Sequence, residues 1–336
     1  MNDARAVRAG WLIDGGGGPL QRNVLLRMKN GIVTGITPYE SNSEIDSLSI
    51  TDLSHAVLCP PFIDCHVHLA LSGTTDLQLR RRLAESSHSD IRPLIRRHID
   101  DLFAHGVLAV RDADDRPGFL QRYGKEPVTA GVPPVVILAA GQAEYGGGTV
   151  IVDANGREPV RTAIAAGCQA IVHGCRMGRD NLERMAERGV VLVPTLQAMK
   201  VAAEQAADAA EKKLAANALK AQLEQVALAR QLGVTVALGT DSGSPGVLHG
   251  EAVVEEMKLL IQAGFSLGGA ISCATVNGAA LLGLVRGRIA VGRQADFLVA
   301  RGTPAQLPRK FSYLEGIWLA GRPSPNYRKN PQRSER

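Results

Sequence analysis

From Pro60 to about residue 286 the chain alternates short apolar runs with helical stretches. This alternation constrains the fold more than any other feature, because it argues for βα units built on a parallel sheet. Strands are expected at 62–69, 106–111, 134–139, 149–153, 170–173, 190–194 and 234–239, with helices between most of them. The longest helical stretch is the alanine-rich run 199–232, where propensity is high. Its charged positions, such as Glu211, Lys212 and Lys220, read as a solvated face. Two further helices are expected at 248–263 and 269–282.

The first strand carries the strongest chemical signal. It follows Pro60-Pro61 and reads Phe-Ile-Asp-Cys-His-Val-His-Leu. Side chains two apart in a strand share a face, so His66 and His68 are expected to point together into one cavity. Such a pair also arises by chance, and a second stretch adds weight. Asp241 ends the apolar segment 234–241 in Gly-Thr-Asp, at the C-terminal tip where parallel barrels hold their reactive groups. Two imidazoles and a carboxylate suit a borderline divalent ion. His173 ends the run 170–173 before Gly174. It reads as a hydrogen-bonded structural residue or, in this order, as the next inward-facing group, either ligating the ion or polarising a carbonyl. A divalent ion brings the pKa of its water to about 7. Asp241 would then accept that proton and return it to a leaving group.

The other histidines say less. His249 follows Asp241 closely and reads either as lining the same mouth or as starting a helix. His55, His88, His98 and His105 read as surface or packing residues. No Gly-X-Ser-X-Gly elbow and no Ser-His-Asp arrangement stands out; Gly243-Ser244-Pro245-Gly246 reads as a loop.

Aromatic residues make up only 4% of the chain, so the core must be aliphatic, as buried parallel strands require. Apolar content of 45% and charged content of 21% are ordinary for a soluble globular protein. The formal charge of +5 is partly local, since residues 322–336 hold five Arg/Lys against one acidic residue. That stretch reads as a solvated tail, and no nucleic-acid partner is expected. Five cysteines show no zinc-ribbon or redox spacing, which argues for a reducing compartment. With no apolar leader and no run approaching the roughly 18–20 residues that span a bilayer, a cytoplasmic protein without a membrane partner is expected.

Both ends of the chain have β texture. Residues 6–13, 23–29 and 32–36 read as strands, with Asn30-Gly31 as a hairpin turn. Gly15–Gly18 reads as a plain turn, because it lacks the lysine and following helix of a phosphate loop. Residues 40–48 read as loop. After Gly287 the β character returns at 288–290, 296–300 and 316–320. The expected organisation is a composite β domain from 1–59 and 287–322, drawn as a small β-sandwich, beside a unit spanning 60–286, with 323–336 as a flexible basic tail.

These residues in this order resemble the amidohydrolase superfamily, in its imidazolonepropionase-like and prolidase-like branch. The resemblance runs through Pro61–His68, 171–174, 193–196, 239–243, 273–279 and 292–297, and so covers nearly the whole chain. It implies an α/β fold, a (β/α)8-type (TIM-like) barrel, with one or two divalent metals and hydrolysis of C–N bonds. By the resemblance His66 and His68 map to strand one, His173 to strand six and Asp241 to strand eight. Two departures are evident. The stretch before Asp153 is too short for a strand four bearing the bridging lysine, in agreement with the count of seven strands. Asp153 stands where relatives carry the strand-five histidine, and Glu144 is a conceivable substitute bridge.

The leading expectation is therefore a metal-dependent hydrolase of an amide, dipeptide or cyclic amide. It would act by attack of metal-bound hydroxide, with Asp241 as proton shuttle and a small molecule as substrate. One ion, zinc by preference, is expected on His66, His68 and Asp241, with His173 as a further ligand or a catalytic group and Asp153 nearby. The alternatives are a catalytically degenerate scaffold with a binding role and a deaminase of a cyclic amidine. A missing strand would leave a sheet edge that a second copy of the chain could cover.

Overall fold

The computed structural model describes residues 4–40, 49–113, 134–139 and 149–327. Both chain ends enter one seven-stranded sheet, built from β1 (Ala4–Leu12), β2 (Gln21–Lys29), β3 (Ile32–Pro38), β4 (Ser49–Cys59), β11 (Phe297–Arg301), β12 (Gly316–Leu319) and β13 (Arg322–Pro323). The order is β13-β12-β11-β4-β1-β2-β3. Asn30 and Gly31 make the β2–β3 turn with φ of 51° and 80°, the positive pair that a two-residue hairpin demands. Alternation sorts the side chains. Ala56 and Leu58 of β4 join one core cluster with Val24, Leu26 and Met28, whereas Val57 and Cys59 face the helices on the other side.

Two expectations are corrected here. The described strands of the two ends form one continuous sheet and not a sandwich, because β4 pairs with β1 on one side and with β11 on the other. No strand forms at 288–290, where Ile289 makes a single backbone bond to Asp14. The stretch beginning at Arg322 is docked as far as it is described: Arg322–Pro323 pairs with β12, and the Tyr327 hydroxyl donates to the Leu314 carbonyl at 2.7 Å. Residues 328–336 lie outside the described residues, as do 41–48 of the expected loop and Glu144.

The middle of the chain supplies parallel strands β5 (Phe62–Val67), β6 (Val107–Asp112), β7 (Val136–Ala139), β8 (Ile151–Ala154), β9 (Ala170–His173) and β10 (Val191–Val193). β5-β6-β7 and β10-β9-β8 form two ladders. The extended segment 234–242 joins them. Ala237 N bonds Leu192 O at 2.9 Å on one side, and Cys65 N bonds Leu238 O at 2.9 Å on the other. Seven parallel strands thus run β7-β6-β5-(234–242)-β10-β9-β8, at the positions read from the sequence. Among the described residues no ladder joins β7 to β8, so the closed eight-stranded ring is not drawn. Residues 114–133 and 140–148 lie outside the described residues.

Helices pack against the strands: α1 (Leu77–Glu85), α2 (His88–Ala104), α3 (Arg157–Ala165), α4 (Arg179–Arg188), α5 (Leu196–Glu204), α6 (Ala209–Gln231), α7 (Glu251–Gln262), α8 (Leu267–Ser272) and α9 (Gly278–Leu281). The expected helix 199–232 is split into α5 and α6. Asp208 caps the new N-terminus by accepting from Glu211 N at 2.8 Å, a stop signal that alanine-rich propensity masks. Between α8 and α9 the chain widens into a π turn, Cys273–Asn277. The Cys273 carbonyl accepts from Leu238 N there, which ties the helix to the central strand. No helix among the described residues is long and apolar enough to cross a membrane.

Helix α5 is capped by another helix. Thr195 makes no side-chain cap; instead the fully buried Glu256 carboxylate of α7 accepts from Leu196 N at 3.0 Å and Gln197 N at 2.6 Å. Glu256→Ala strands both donors and should cost about 3 kcal/mol in urea unfolding, with Glu256→Gln, which keeps one acceptor, losing less.

Candidate metal centre

The reactive groups gather at the C-terminal ends of the parallel strands. His66 is fully buried and Asp241 is 9% exposed. His68 Nε2 lies 2.9 Å from Asp241 Oδ1, and His66 Nε2 lies 3.4 Å from the same oxygen. The two rings stand nearly perpendicular with centroids 5.1 Å apart. Both ring nitrogens of His66 are buried without a hydrogen-bond partner. Leaving such atoms unsatisfied is costly, and a bound cation is one resolution.

Two groups of ligand atoms share His66. One joins it to His68 and Asp241, the other to Asp153 and His173, with each set of atoms mutually within 4.8 Å. Asp153, at the end of β8, places Oδ1 3.9 Å from His66 Nδ1. His173 falls in the group with Asp153, its ring 5.3 Å from that of His66, and the charge of Asp241 also acts on it. No ion is part of the structure, but two imidazoles and a carboxylate converging on orphaned ring nitrogens fit a divalent one.

Backbone strain helps to aim these groups. His173, Thr195 and Asp241 all have positive φ, of 62°, 49° and 59°, each at a strand end. For residues with a Cβ this conformation costs about 1–2 kcal/mol each. Such strain gathered at one end of a sheet accords with a functional site. Two glycines permit the close approach: a Cβ on Gly239 would sit 3.0 Å from the His66 Cβ, and one on Gly243 would meet the His68 carbonyl at 2.5 Å.

Hydrogen bonds fix the His173 tautomer. Thr195 Oγ1 donates to the Pro194 carbonyl, so it must accept from His173 Nδ1–H at 2.7 Å, which leaves Nε2 with a free lone pair. Burial, assisted by His66, lowers the His173 pKa and keeps the ring neutral. At Asp241 burial works toward a higher pKa, but the imidazoles of His66 and His68 outweigh it and hold the carboxyl well below its usual range. Ser244 Oγ donates to Asp241 Oδ2 at 2.9 Å.

Residues outside the expected ligand set support the site. His98 and His249 stack with centroids 3.8 Å apart. His98 donates to the Leu69 carbonyl at 2.9 Å and His249 to the His68 carbonyl at 3.2 Å, so His249 lies behind the site and does not line its mouth. Burial lowers both pKa values, that of His98 to about 4, so the stack is uncharged. Asp112 accepts from Leu69 N at 2.7 Å. Arg111, beside it on β6, has Nη1 buried without a partner; burial lowers its pKa while the Asp153 charge acts against this. An Arg-Asp pair closing an apolar strand was the available signal.

Residues 158–322 match the model of the amidohydrolase family. A stretch of 160 residues is 30% identical to 5-methylthioadenosine/S-adenosylhomocysteine deaminase of Halobacterium salinarum, covering 44% of this chain. The match spans only about a third (33%) of the length of that curated relative. A solved Xaa-Pro dipeptidase with bound methionine has the same fold, with a TM-score of 0.76 at 20% identity over 96% of this chain and 100% of that one. A zinc-bound adenosine deaminase from Xanthomonas campestris aligns with a TM-score of 0.63 at 14% identity, over 95% and 92% of the two chains. The match to the amidohydrolase family thus covers just under half of the chain, and the likeness in fold extends over nearly all of it.

Behind the ligands, the fully buried Asp64 accepts from Thr240 N at 3.0 Å and from Thr240 Oγ1 at 2.5 Å. Burial pushes its pKa up to about 7, although the Thr240 bonds favour the charged form. The folded chain therefore keeps a proton that the unfolded chain has lost, and this group's contribution to stability declines as pH rises from about 4 to about 7. Thr240→Val removes one stabiliser of the carboxylate. Its loss of stability should be larger at about pH 8.5 than at about pH 5.5 in urea titrations, and equal losses would refute the assignment.

Proposed function

We propose that the chain is a metal-dependent hydrolase of a C–N bond in an amide, dipeptide or cyclic amide. The observation that carries this reading is the convergence of His68, Asp241 and the orphaned ring nitrogens of buried His66 at the strand ends. We assign residues 60–286 to the catalytic unit, as a barrel of the (β/α)8 type with one strand fewer, and 1–59 with 287–322 to the β domain.

His66, His68 and Asp241 would hold a divalent ion, zinc by preference, since imidazole and carboxylate donors suit it. When bound, such an ion supplies Lewis acidity and makes water nucleophilic near neutral pH. The remaining work falls to the chain. Asp241 Oδ2 stays ionised over the ordinary pH range, oriented by Ser244, and serves as the proton acceptor that later returns the proton to the leaving nitrogen. Neutral His173 offers Nε2 toward the same space, either as a ligand or to orient the substrate carbonyl. Asp153 lies 3.9 Å from the other nitrogen of His66, beyond hydrogen-bond reach, and the reading favours one ion over two.

Elemental analysis with a panel of amide and dipeptide substrates tests this. Purified protein should carry about one divalent ion per chain, and His66→Ala should lose it. His66→Ala and Asp241→Ala should each abolish release of carboxylate and amine while far-UV circular dichroism is unchanged; turnover in either variant would sink the mechanism. Asp153→Asn should leave the ion count unchanged, whereas a fall from two ions to one would mean that both groups are filled.

The identity to a deaminase over 160 residues supports a second reading, a deaminase of a cyclic amidine on the same groups. Ammonia release with no new carboxylate would favour it.

A further inference from the structure

β9 ends in a sharp reversal of the chain. His173 and Gly174 are both left-handed, with φ of 62° and 64°. A Cβ on Gly174 would collide with the methyl group of buried Met177. The carbonyls of this turn are received by α6. Gln222 Nε2 donates to the His173 carbonyl at 2.6 Å, and Gln225 Nε2 donates to the Gly174 carbonyl at 2.7 Å. The two glutamines are three positions apart and so share one face of the helix. Gln222 is only 2% exposed.

The two amides also fix each other. Gln225 Nε2 donates to Gln222 Oε1 at 3.0 Å, and Gln225 Oε1 accepts from Met177 N at 3.0 Å. A relay therefore runs from the Met177 amide through both glutamines to the His173 carbonyl. Turning either side-chain amide over would set oxygen against oxygen, so the relay has one sense. His173 pays for its left-handed backbone because its Cβ crowds the chain there. Without the glutamine donors the turn is free to relax to an ordinary conformation. The ring would then leave Thr195 and the group it forms with His66 and Asp153.

We propose that Gln222 and Gln225 are positioning residues, which hold the 173–174 turn left-handed and so aim His173 Nε2 into the metal centre. That this aim serves catalysis rests on the hydrolase reading. The aim itself does not, and it can be measured without turnover.

Nuclear magnetic resonance of the full chain, isotopically labelled at the histidine nitrogens, tests this at about pH 8, where the ring is neutral. A chelator in the buffer keeps ions from competing for Nε2, and the His173 signals are those lost in His173→Gln. In the wild type the ring proton should sit on Nδ1, bonded to Thr195. Gln222→Met and Gln225→Met keep the side-chain length and remove the donors. In each, the population of His173 rings without that bond should rise about fivefold. Val226→Ala, at a fully buried position of the same helix, is the control. It should lower stability in urea and leave the His173 signals in place. Should Gln222→Met fail to fold by circular dichroism, the less buried Gln225→Met decides alone. An unmoved His173 ring in the glutamine variants, or an equal change in Val226→Ala, would overturn the proposal. Absence of hydrolysis would leave this measurement untouched, so the two readings fail separately.

Discussion

Backbone hydrogen bonds from Asp241 N to the His66 carbonyl and from His68 N to the Ser242 carbonyl lock the 234–242 segment beside β5 in one register. The candidate centre depends on that lock. A slip of one residue turns a side chain to the other face of a strand, so His66, His68 and Asp241 would no longer meet. Asp64 reinforces the register from within: its carboxylate takes both the amide and the hydroxyl of Thr240, across 176 positions of sequence. A buried carboxylate is an expensive clamp, and it holds because each contact it makes is a hydrogen bond.

Around this lock the structure arranges groups whose charges oppose one another. Asp241 is kept ionised by two imidazoles, whereas burial keeps His173, His98 and His249 neutral. The stacked pair His98–His249 spends its N–H groups on the carbonyls of Leu69 and His68 and so steadies the turn that follows the ligand strand. Preorganisation of this sort lies outside the ligand set but sets where the ligands point.

Much of the architecture is legible because it rests on local chemistry. Apolar runs at period two, Asn30-Gly31 and the strand–helix alternation are written into neighbouring residues, and the seven parallel segments lie where those signals put them. The helix 199–232 is the instructive exception. Its alanine content speaks for continuity, and the cap at Asp208 is one hydrogen bond from a residue type that also sits on solvated helix faces. The 288–290 run has strand composition, but the bond from Ile289 N to the Asp14 carbonyl does not extend into a ladder.

By itself the sequence determined the βα order, the His-X-His pair on one strand, the carboxylate ending another, and the resemblance of such an ordered set to one family. These follow from residue type and spacing, which act over a few positions. Only the tertiary structure decided that His173 falls in the group with Asp153, that His249 braces the His68 carbonyl from behind, and that Glu256 caps a helix sixty residues away. Such pairings depend on which strand ends up beside which, and on three residues held at positive φ by everything packed around them. No local signal carries that information, because the energy that holds those conformations comes from long-range contacts.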